Sequence, residues 1–437
     1  MSLPRYKNYK DSGAEWLGEV PEYWGIKPLW ALFRRTKRTG HEGEQLLSVY
    51  REYGVIPKAS RDDNNNKPSD DLEPYQLVRS GDLVINKMKA WQGSVAISEH
   101  QGIVSPAYFV YEATHTEVPR YLHYLMRSLR YIIGYLSLSK GIRVNQWDLE
   151  PQYHSRMPII LPSKVEQTVI ATFLDRETAK IDALVAEQQR LIELLEEKRQ
   201  AVIFHAVTKG LNPTAPMKDS GIEWLGEVPV HWEVLKGAYL GRLFGSEQVP
   251  EDLICNEGLI PFLKVGSLSP HGFEVQSWDW FLASEIEGQY QQKQDFVVFP
   301  KRGAAIFMNK VNIVYRPALI DPNLMGWEIS ERSTTRFVAY LLKARKLNEL
   351  ADVSTVPQIN IKHIYPERFP VPPVNEQIAI ISFLDRETVK IEALTAEAQT
   401  AITLLQERRT ALISATVTGK IDVRGVVAAQ LERGVAA

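Results

Sequence analysis

The sequence predicts an α+β fold, with two β-rich globular domains, two long helices that pair antiparallel as a coiled coil, and an internal pseudo-two-fold repeat. Two repeated segments support this prediction. KDSGAEWLGEVPEYW (10–24) returns as KDSGIEWLGEVPVHW (218–232), with three of fifteen positions changed. PSKVEQTVIATFLDRETAKIDAL (162–184) returns as PPVNEQIAIISFLDRETVKIEAL (372–394), offset by 210 positions. A repeat this long exceeds a solenoid unit of about 20–50 residues, so it indicates one duplicated module.

The fifteen-residue segments 10–24 and 218–232, here called the WLGEVP motifs, open each half of the chain. Their two tryptophans and their proline-restricted turn are typical of a structural element. One hypothesis is that each motif packs its domain against the ends of the helix pair. The alternative is a hydrophobic staple within the motif's own domain, and the sequence favours neither.

A variable block follows each motif, over roughly 25–160 and 233–370, and is expected to be mixed and β-rich. GDLVINK (81–87) and QDFVVFPK (294–301) are β-branched runs that each reach a lysine, which predicts strands. The segments 121–136 and 337–350 have a helical period. Because the blocks differ while the surrounding scaffold repeats, we expect two binding domains of different specificity on a common frame.

The long helices are predicted from stretches without Pro or Gly, the first running from Gln167 to about Val207. About 40 residues would give a rod of ~60 Å. Apolar residues recur every seven positions and again three residues later, as in the a/d seam of a coiled coil. In the first helix these are Leu174, Ile181, Leu195 and Val202, with Gln188 interrupting, then Leu184 and Leu191; in the second they are Leu384, Ile391, Leu405 and Leu412, then Leu394.

Polar or small seam residues weaken each helix as a parallel dimer, so the predicted partner of each helix is the other one. Gly210 and the segment NPTAP (212–216) end the first helix and start a linker. The predicted domains are therefore 1–165, the first helix with its linker at 166–216, 217–375, and the second helix with a tail at 376–437.

Composition excludes several classes of protein. The chain has 437 residues, a net charge of −2 and a single cysteine, Cys255, which excludes an internal disulfide or a cysteine-based metal site. No apolar run long enough for a membrane span and no signal-peptide pattern is present, so a cytoplasmic location is expected. Phosphate-binding loops, glycine-rich cofactor loops, HExxH and NPPY-type tetrapeptides are missing. The sequence therefore favours a binding protein without catalytic residues that works with separate enzymes.

Runs of cations without intervening acids are candidate phosphate contacts, although a solvated surface is the commoner role of such a run. One run comprises Lys27, Arg34, Arg35, Lys37 and Arg38. The others are Arg120, Arg127, Arg130, Lys140 and Arg143 in the first block, and Arg332, Arg336, Lys343, Arg345 and Lys346 in the second.

The chain resembles the specificity subunits of type I restriction-modification systems. The resemblance covers nearly all of the sequence. It rests on the paired WLGEVP motifs, the paired P-x-x-x-EQ…FLDRET-x-KI helix starts, and the phrases LLSVYREYGVIP (46–57), INKMKAWQGS (85–94) and GIVSPAY (102–108). Both repeats occur in the order that this family has.

The resemblance implies that each block is a target recognition domain for one half of a split double-stranded DNA site. The helix pair would set the gap between the half-sites. Two modification subunits would methylate one adenine in each half, and restriction subunits would add translocation and cleavage. S-adenosylmethionine, ATP and Mg²⁺ would be bound by those partners, with no cofactor on this chain and no membrane partner.

Base recognition requires side chains that can donate or accept at base edges, chiefly Arg, Lys, Asn and Gln. The predicted DNA-binding residues are Tyr50, Arg51, Lys87, Lys89, Asn145 and Gln146 in the first block, and Lys264, Lys301, Arg302, Gln358 and Asn360 in the second. Each lysine could instead contact a phosphate or be a surface charge. Gln146 and Gln358 could instead bond within the fold.

Three other interpretations remain open on the sequence. The chain could be a coiled-coil adaptor that ignores DNA, or a self-sufficient nuclease or methyltransferase with an unfamiliar site. It could also be the specificity subunit of another methylation-based phage-defence system. Salt-dependent, sequence-selective duplex binding would exclude the adaptor. Lack of activity in the purified chain would exclude the enzyme.

Overall fold

A computed structural model of the chain describes residues 4–61, 67–143, 146–246, 249–275, 277–283, 290–352 and 356–426, with the backbone alone for 142, 143 and 146. Packing divides the chain into two units. The first extends to Gln189 and resumes at Thr400, and the second is Arg190–Gln399. The C-terminal part of the sequence therefore belongs to the same unit as its N-terminal part.

The first unit combines short strands with three small helices and the start of a long one. Its strands are β1 (Tyr9–Asp11), β2 (Glu19–Pro21), β3 (Gly25–Pro28), β4 (Phe33–Thr36), β5 (Leu47–Tyr50), β6 (Gly54–Pro57), β7 (Gln76–Val78), β8 (Leu83–Asn86), β9 (Val95–Ile97), β10 (Gly102–Val104), β11 (Tyr108–Ala113), β12 (Ser139–Arg143), β13 (Gln146–Leu149) and β14 (Pro158–Leu161). Its helices are α1 (Pro119–Arg127), α2 (Leu129–Ser137), α3 (Pro151–His154) and α4 (Lys164–Lys209), which continues into the second unit.

The second unit follows a similar order, without strands equivalent to β12 and β13 among its described residues. Its strands are β15 (Met217–Asp219), β16 (Glu227–Pro229), β17 (Glu233–Lys236), β18 (Gly241–Phe244), β19 (Ile254–Cys255), β20 (Phe262–Leu263), β21 (Phe281–Leu282), β22 (Phe296–Pro300), β23 (Asn312–Val314), β24 (Leu319–Ile320), β25 (Leu324–Ile329) and β26 (Arg368–Val371). Its helices are α5 (Thr335–Arg345), α6 (Leu347–Leu350), α7 (Ile361–Ile364) and α8 (Val374–Val417), which continues into the first unit.

Each unit is built around the same four-stranded antiparallel sheet. The strand order is β4-β11-β8-β9 in the first unit and β18-β25-β22-β23 in the second. The predicted strands 81–87 and 294–301 are the inner strands β8 and β22, and their apolar runs are continuous because both faces of each sheet are covered. On β8, Leu83 and Ile85 face one core cluster while Val84 faces another. On β22, Val297 and Phe299 face one cluster while Phe296 and Val298 face the other.

The long helices have a regular buried seam, although its second row differs from the prediction. Leu174, Ile181 and Leu195 are buried as expected, but Leu184 and Leu191 are 45% and 42% exposed. The second row lies four residues after the first instead of three. In α4 the seam is formed by Leu174, Thr178, Ile181, Val185, Gln188, Ile192, Leu195, Arg199 and Val202, and in α8 by Leu384, Thr388, Ile391, Thr395, Ala398, Ile402, Leu405, Arg409 and Leu412.

The helices run antiparallel in each unit, as predicted. In the first unit Arg409 Nε lies 2.8 Å from Asp182 Oδ1, and Arg424 approaches Glu166 near the start of α4. In the second unit Arg199 Nη2 lies 3.2 Å from Glu392 Oε1. The two main pairs occupy equivalent positions of the repeat, since Asp182 corresponds to Glu392 and Arg199 to Arg409. The same helix contact is therefore made once in each unit.

The second tryptophan of each WLGEVP motif packs on the C-terminal end of a long helix. Gly419, just after α8, has φ +69°, and a side-chain carbon there would lie 2.4 Å from Pro21 and 3.2 Å from the Trp24 ring. Gly210, just after α4, has φ +78°, and a side-chain carbon there would likewise lie 3.2 Å from the Trp232 ring. Both positions require glycine for backbone conformation and for space.

The first tryptophan of each motif packs on residues of its own domain. The Trp16 ring lies 5.1 Å from Tyr131, and the Trp224 ring lies 6.2 Å from Phe369. Trp224 also lies 6.4 Å from the Phe204 ring of the long helix α4. The contacts therefore support both hypotheses for the motif.

Candidate nucleic-acid interface

The two lysines that follow the inner strands occupy equivalent places. The Lys87 carbonyl accepts a hydrogen bond of 3.3 Å from the Leu149 N–H, and the Lys301 carbonyl accepts one of 3.0 Å from Ile359. In each unit the segment before a short helix, α3 or α7, thus returns to the end of the inner strand, β8 or β22. Lys87 Nζ also lies 3.5 Å from Asp148 Oδ2.

In the second unit the structure brings together three predicted residues from distant parts of the sequence. Arg302 pairs through its backbone with Gln358 in an isolated antiparallel bridge, directly beside the Lys301 contact. The Arg302 side chain is exposed. Two cations and an amide therefore lie along one edge of the domain, a combination suited to phosphate and base-edge contacts.

Asn360 has a structural role that the sequence did not reveal. It is the N-cap of α7, where its side chain accepts from the backbone of the first turn and its N–H donates to His363 Nδ1 at 2.9 Å. This capping box fixes the end of the segment that carries Gln358.

Tyr50 and Arg51 lie at the turn between β5 and β6, beside residues that the prediction missed. The Tyr50 and Tyr53 rings are 6.4 Å apart, and the Arg61 guanidinium lies 4.5 Å from the Tyr53 ring centre. Arg127 from α1 holds the turn by donating to the Arg51 carbonyl at 2.6 Å. The turn therefore presents cations and aromatic rings together.

The remaining predicted residues are dispersed. Lys264 Nζ lies 4.0 Å over the Trp280 ring, in a cation–π contact. Lys89 is exposed on the turn after β8. Asn145 lies outside the described residues, and Gln146 begins β13 with its side chain outside the described part.

Several residues of the basic runs form ion pairs within the fold, and the hypothesis that the runs contact phosphates stays a prediction. Arg38 Nη1 lies 2.6 Å from Asp82, and Arg120 Nη2 lies 2.7 Å from Asp175. The other pairs are Arg34–Glu112, Lys140–Glu150, Arg336–Asp385 and Arg345–Glu367. The acids are distant in sequence, so the runs look unpaired only when the chain is read linearly.

The repeated helix starts are anchors for the domains. Gln167 accepts from the Val118 N–H at 2.9 Å, and the equivalent Gln377 accepts from the Thr334 N–H at 3.0 Å. Glu166 accepts from the hydroxyls of Tyr6 and Tyr23. The acidic residues of the FLDRET segments bind α1 and α5 in the same way. These contacts explain why the EQ and FLDRET segments recur.

Two classes of site are missing from the part of the chain that the structure describes. In that part of the chain no helix is long and apolar enough to cross a membrane. Over the same ranges, no three His, Cys, Asp or Glu side chains converge as metal ligands would.

Comparisons with known proteins agree with this architecture. A sequence family described as the type I restriction modification DNA specificity domain matches residues 41–194. The StySPI specificity subunit of Salmonella potsdam, a type I restriction enzyme component, is 26% identical over 228 residues, which span 47% of each chain. That match therefore covers about half the length of the relative. The EcoKI specificity subunit of Escherichia coli K12 is 20% identical over 93% of this chain and 91% of its own.

Solved structures share the fold. A chain from a study of complex assembly in the type I R-M system superposes with a TM-score of 0.71 at 15% identity, over 92% of this chain and 99% of its own. The HsdS subunit of Thermoanaerobacter tengcongensis gives a TM-score of 0.51 at 16% identity, over 92% and 98% of the two chains.

Proposed function

The chain belongs to the specificity subunits of type I restriction-modification systems, and from this premise we propose that it binds a split double-stranded DNA site, one half-site per unit. Two modification subunits methylate one adenine in each half-site, and restriction subunits join them. S-adenosylmethionine, ATP and Mg²⁺ bind to those partners, and this chain supplies sequence recognition.

The observation that carries the proposal is that both units end their inner strand in the same way but place different exposed residues near it. Both units place a lysine after the inner strand, against the segment before the third short helix. The first unit adds an aromatic and cationic turn nearby in sequence, whereas the second adds Arg302 and Gln358. A shared scaffold with different exposed chemistry suits two half-sites of different sequence.

Exposed leucines repeated on the long helices support docking of two identical partner subunits. Leu184 is 45% exposed and its repeat counterpart Leu394 is 48% exposed. Leu194 and its counterpart Leu404 are 45% and 59% exposed. Exposed apolar positions that recur at the repeat offset are expected if one modification subunit binds each copy of the surface.

The first experiment is a methylation map. The chain is expressed with its modification subunit in a host without adenine methylation, and modified adenines are read by single-molecule sequencing. One split motif, modified in both halves, is the expected result. A soluble complex that leaves no motif would overturn the proposal.

Substitutions at the two lysines then assign half-sites. Lys301→Ala should relax or weaken recognition in one half-site and Lys87→Ala in the other, by about 1–3 kcal/mol for a base contact. A loss that is uniform over all sequences would identify a phosphate contact instead. Lys198→Ala, which removes an exposed charge from α4, is the control and should leave the map unchanged.

The docking surface has its own test. Leu184→Glu with Leu404→Glu, both in the first unit, should reduce assembly from two modification subunits to one, measured by native mass spectrometry. Gln189→Glu, which adds charge at an exposed polar position of α4, should leave two bound. Retention of both subunits in the double variant would show that docking lies elsewhere.

A further inference from the structure

The turn between β22 and β23 exposes two adjacent large apolar side chains. Phe307 is 65% exposed and Met308 is 56% exposed. Isolated exposed apolar residues are ordinary on protein surfaces, but two neighbours at the tip of a turn are not explained by packing within this unit.

The turn is rigidly built. Asn309 has φ +48°, a left-handed conformation that non-glycine residues seldom adopt. Its side chain is fixed at both ends, because Nδ2 donates to the Lys343 carbonyl at 2.9 Å and Oδ1 accepts from the Leu347 N–H at 3.0 Å. The contacts of Asn309 thus hold a strained turn that points Phe307 and Met308 outward.

The charge around this pair indicates what it contacts. The segment KRGAAIFMNK (301–310) contains three cations and no acid. It begins at Lys301 and Arg302, the residues assigned above to the DNA-facing edge. The equivalent turn of the first unit, KMKAWQGS (87–94), also combines cations, a methionine and an aromatic residue without an acid.

We propose that Phe307 and Met308 form a wedge that inserts at a base step of the half-site bound by the second unit. Apolar side chains flanked by cations are used in this way by proteins that unstack or kink a duplex. The wedge supports the partner's methylation because an adenine must leave the base stack before it can react. This inference rests on the proposed function and adds to it a pair of residues that separates neighbouring bases.

The test uses the complex with modification subunits and duplexes that carry the mapped motif. 2-Aminopurine replaces the target adenine in one half-site at a time, and its fluorescence reports unstacking. Methylation rates are measured on matching duplexes that keep the target adenine, because 2-aminopurine lacks the 6-amino group that accepts the methyl. For Phe307→Ala with Met308→Ala, we expect the fluorescence rise and the methylation rate to fall about tenfold in one half-site, the size expected for a lost stacking contact, and to stay unchanged in the other. Phe307→Trp should restore the signal.

The control is Leu259→Ala, which removes another exposed apolar side chain of the same unit, 77% exposed and two positions after Glu257 in the sequence. It should change neither signal. Equal signals in both half-sites for the double variant would overturn the wedge. Loss of modification subunits from the complex would also overturn it, because the pair would then be a protein interface. If the wild-type complex itself gave no motif and no fluorescence rise, the proposed function would fail first.

Discussion

Asp385 holds helix α5 against helix α8 through two short hydrogen bonds. Its Oδ1 accepts from Tyr340 at 2.7 Å and from Arg336 Nε at 2.9 Å. Asp175 makes the same contacts with Tyr124 and Arg120 in the first unit, each at 2.7 Å. One carboxylate of the FLDRET segment thus attaches each domain to its long helix.

Tyr340→Phe should therefore loosen the second unit. Removing the hydroxyl deletes a bond to a charged acceptor, normally about 1.5–3 kcal/mol. Because Asp385 is 34% exposed and can regain water, we expect about 1 kcal/mol. Urea unfolding followed by pulse labelling of Cys255, the only cysteine, reports this unit. Tyr124→Phe is the control and should leave that midpoint unchanged. An equal shift for both variants would contradict separate anchors.

Lys343 is a buried cation in the second unit. Its Nζ donates to the Pro270 carbonyl at 2.9 Å and to Gly272 at 3.3 Å. Burial, followed by the neighbouring Arg199 charge, lowers the pKa of Lys343 to about 7 from its ordinary 10.5, while Glu196 and Glu392 oppose the shift. His271 also lies at this site, where its carbonyl accepts from Arg199.

The stability of the second unit should consequently rise with pH above about 7. Between the folded pKa of about 7 and the ordinary value of 10.5, the unfolded chain holds more protons at Lys343 than the folded chain does. The free energy of unfolding then increases over this window, and the group adds no slope below it. Urea midpoints at pH 7 and pH 9, each read by Cys255 labelling at one fixed pH, measure the rise. Lys343→Met should flatten it, and an unchanged slope in that variant would assign the dependence to other groups.

Site residues were predictable where backbone topology decides their place. The lysines after the two β-branched runs lie at strand ends because buried strands must end at the surface, and both predictions of strands were confirmed. The ion pairs of the basic runs could not be predicted, because Asp82, Asp175 and Asp385 reach these cations only through the fold. Asn360 was indistinguishable from a base-reading amide, since a cap depends on where a four-residue helix begins.

At the scale of elements, the long helices were predictable from length and from the repeat, whereas the second row of the seam was not. Leu184 and Leu191 are more apolar than the residues that occupy the seam, Thr178 and Arg199 among them. Thr178 is accommodated because its hydroxyl donates to the Leu174 carbonyl, and Arg199 because it pairs with Glu392. Hydrophobicity alone therefore selected the wrong face.

Adjacent leucines test the seam directly. Leu195 is 7% exposed and Leu194 is 45% exposed. Leu195→Ala should destabilise the second unit by about 2–3 kcal/mol, since it leaves a cavity between helices. Leu194→Ala should change stability by less than about 0.5 kcal/mol, as expected at the surface. Urea unfolding of both variants gives the comparison, and a larger loss at Leu194 would contradict the buried seam, since the predicted and the observed first rows both place Leu195 in it.

At the scale of the whole molecule, each unit combines the globular part of one repeat with the C-terminal end of the other repeat's long helix. Val417 and Val423, from the end of α8 and just beyond, are fully buried in the core that also holds Trp24 and Leu174. Lys420 Nζ donates to the Glu19 carbonyl at 2.8 Å. The first unit is therefore incomplete until the last part of the chain is made.

A stop codon after Gln399 should unfold the first unit selectively. The truncation removes the α8 residues that fill its core but keeps all residues of the second unit. Hydrogen exchange should show loss of protection over β8 and β11, while the Cys255 labelling midpoint changes little. Equal loss of protection in both units would mean that they fold as one cooperative body.

The continuity of α4 and α8 through both units leads to the last prediction, for the gap between half-sites. Because the helices are antiparallel and Arg199 opposes Glu392, Glu193 opposes Ala398. Seven residues inserted before Glu193 in α4, together with seven inserted after Ala398 in α8, would keep the seam in register. Seven helical residues add ~10.5 Å, equal to about three base pairs. The methylation map should then show both half-site sequences unchanged with a gap longer by about that amount. Insertion into α4 alone is the control and should abolish the motif, because the helices can no longer pair. A paired insertion that left the gap unchanged would mean that the helices do not set the spacing.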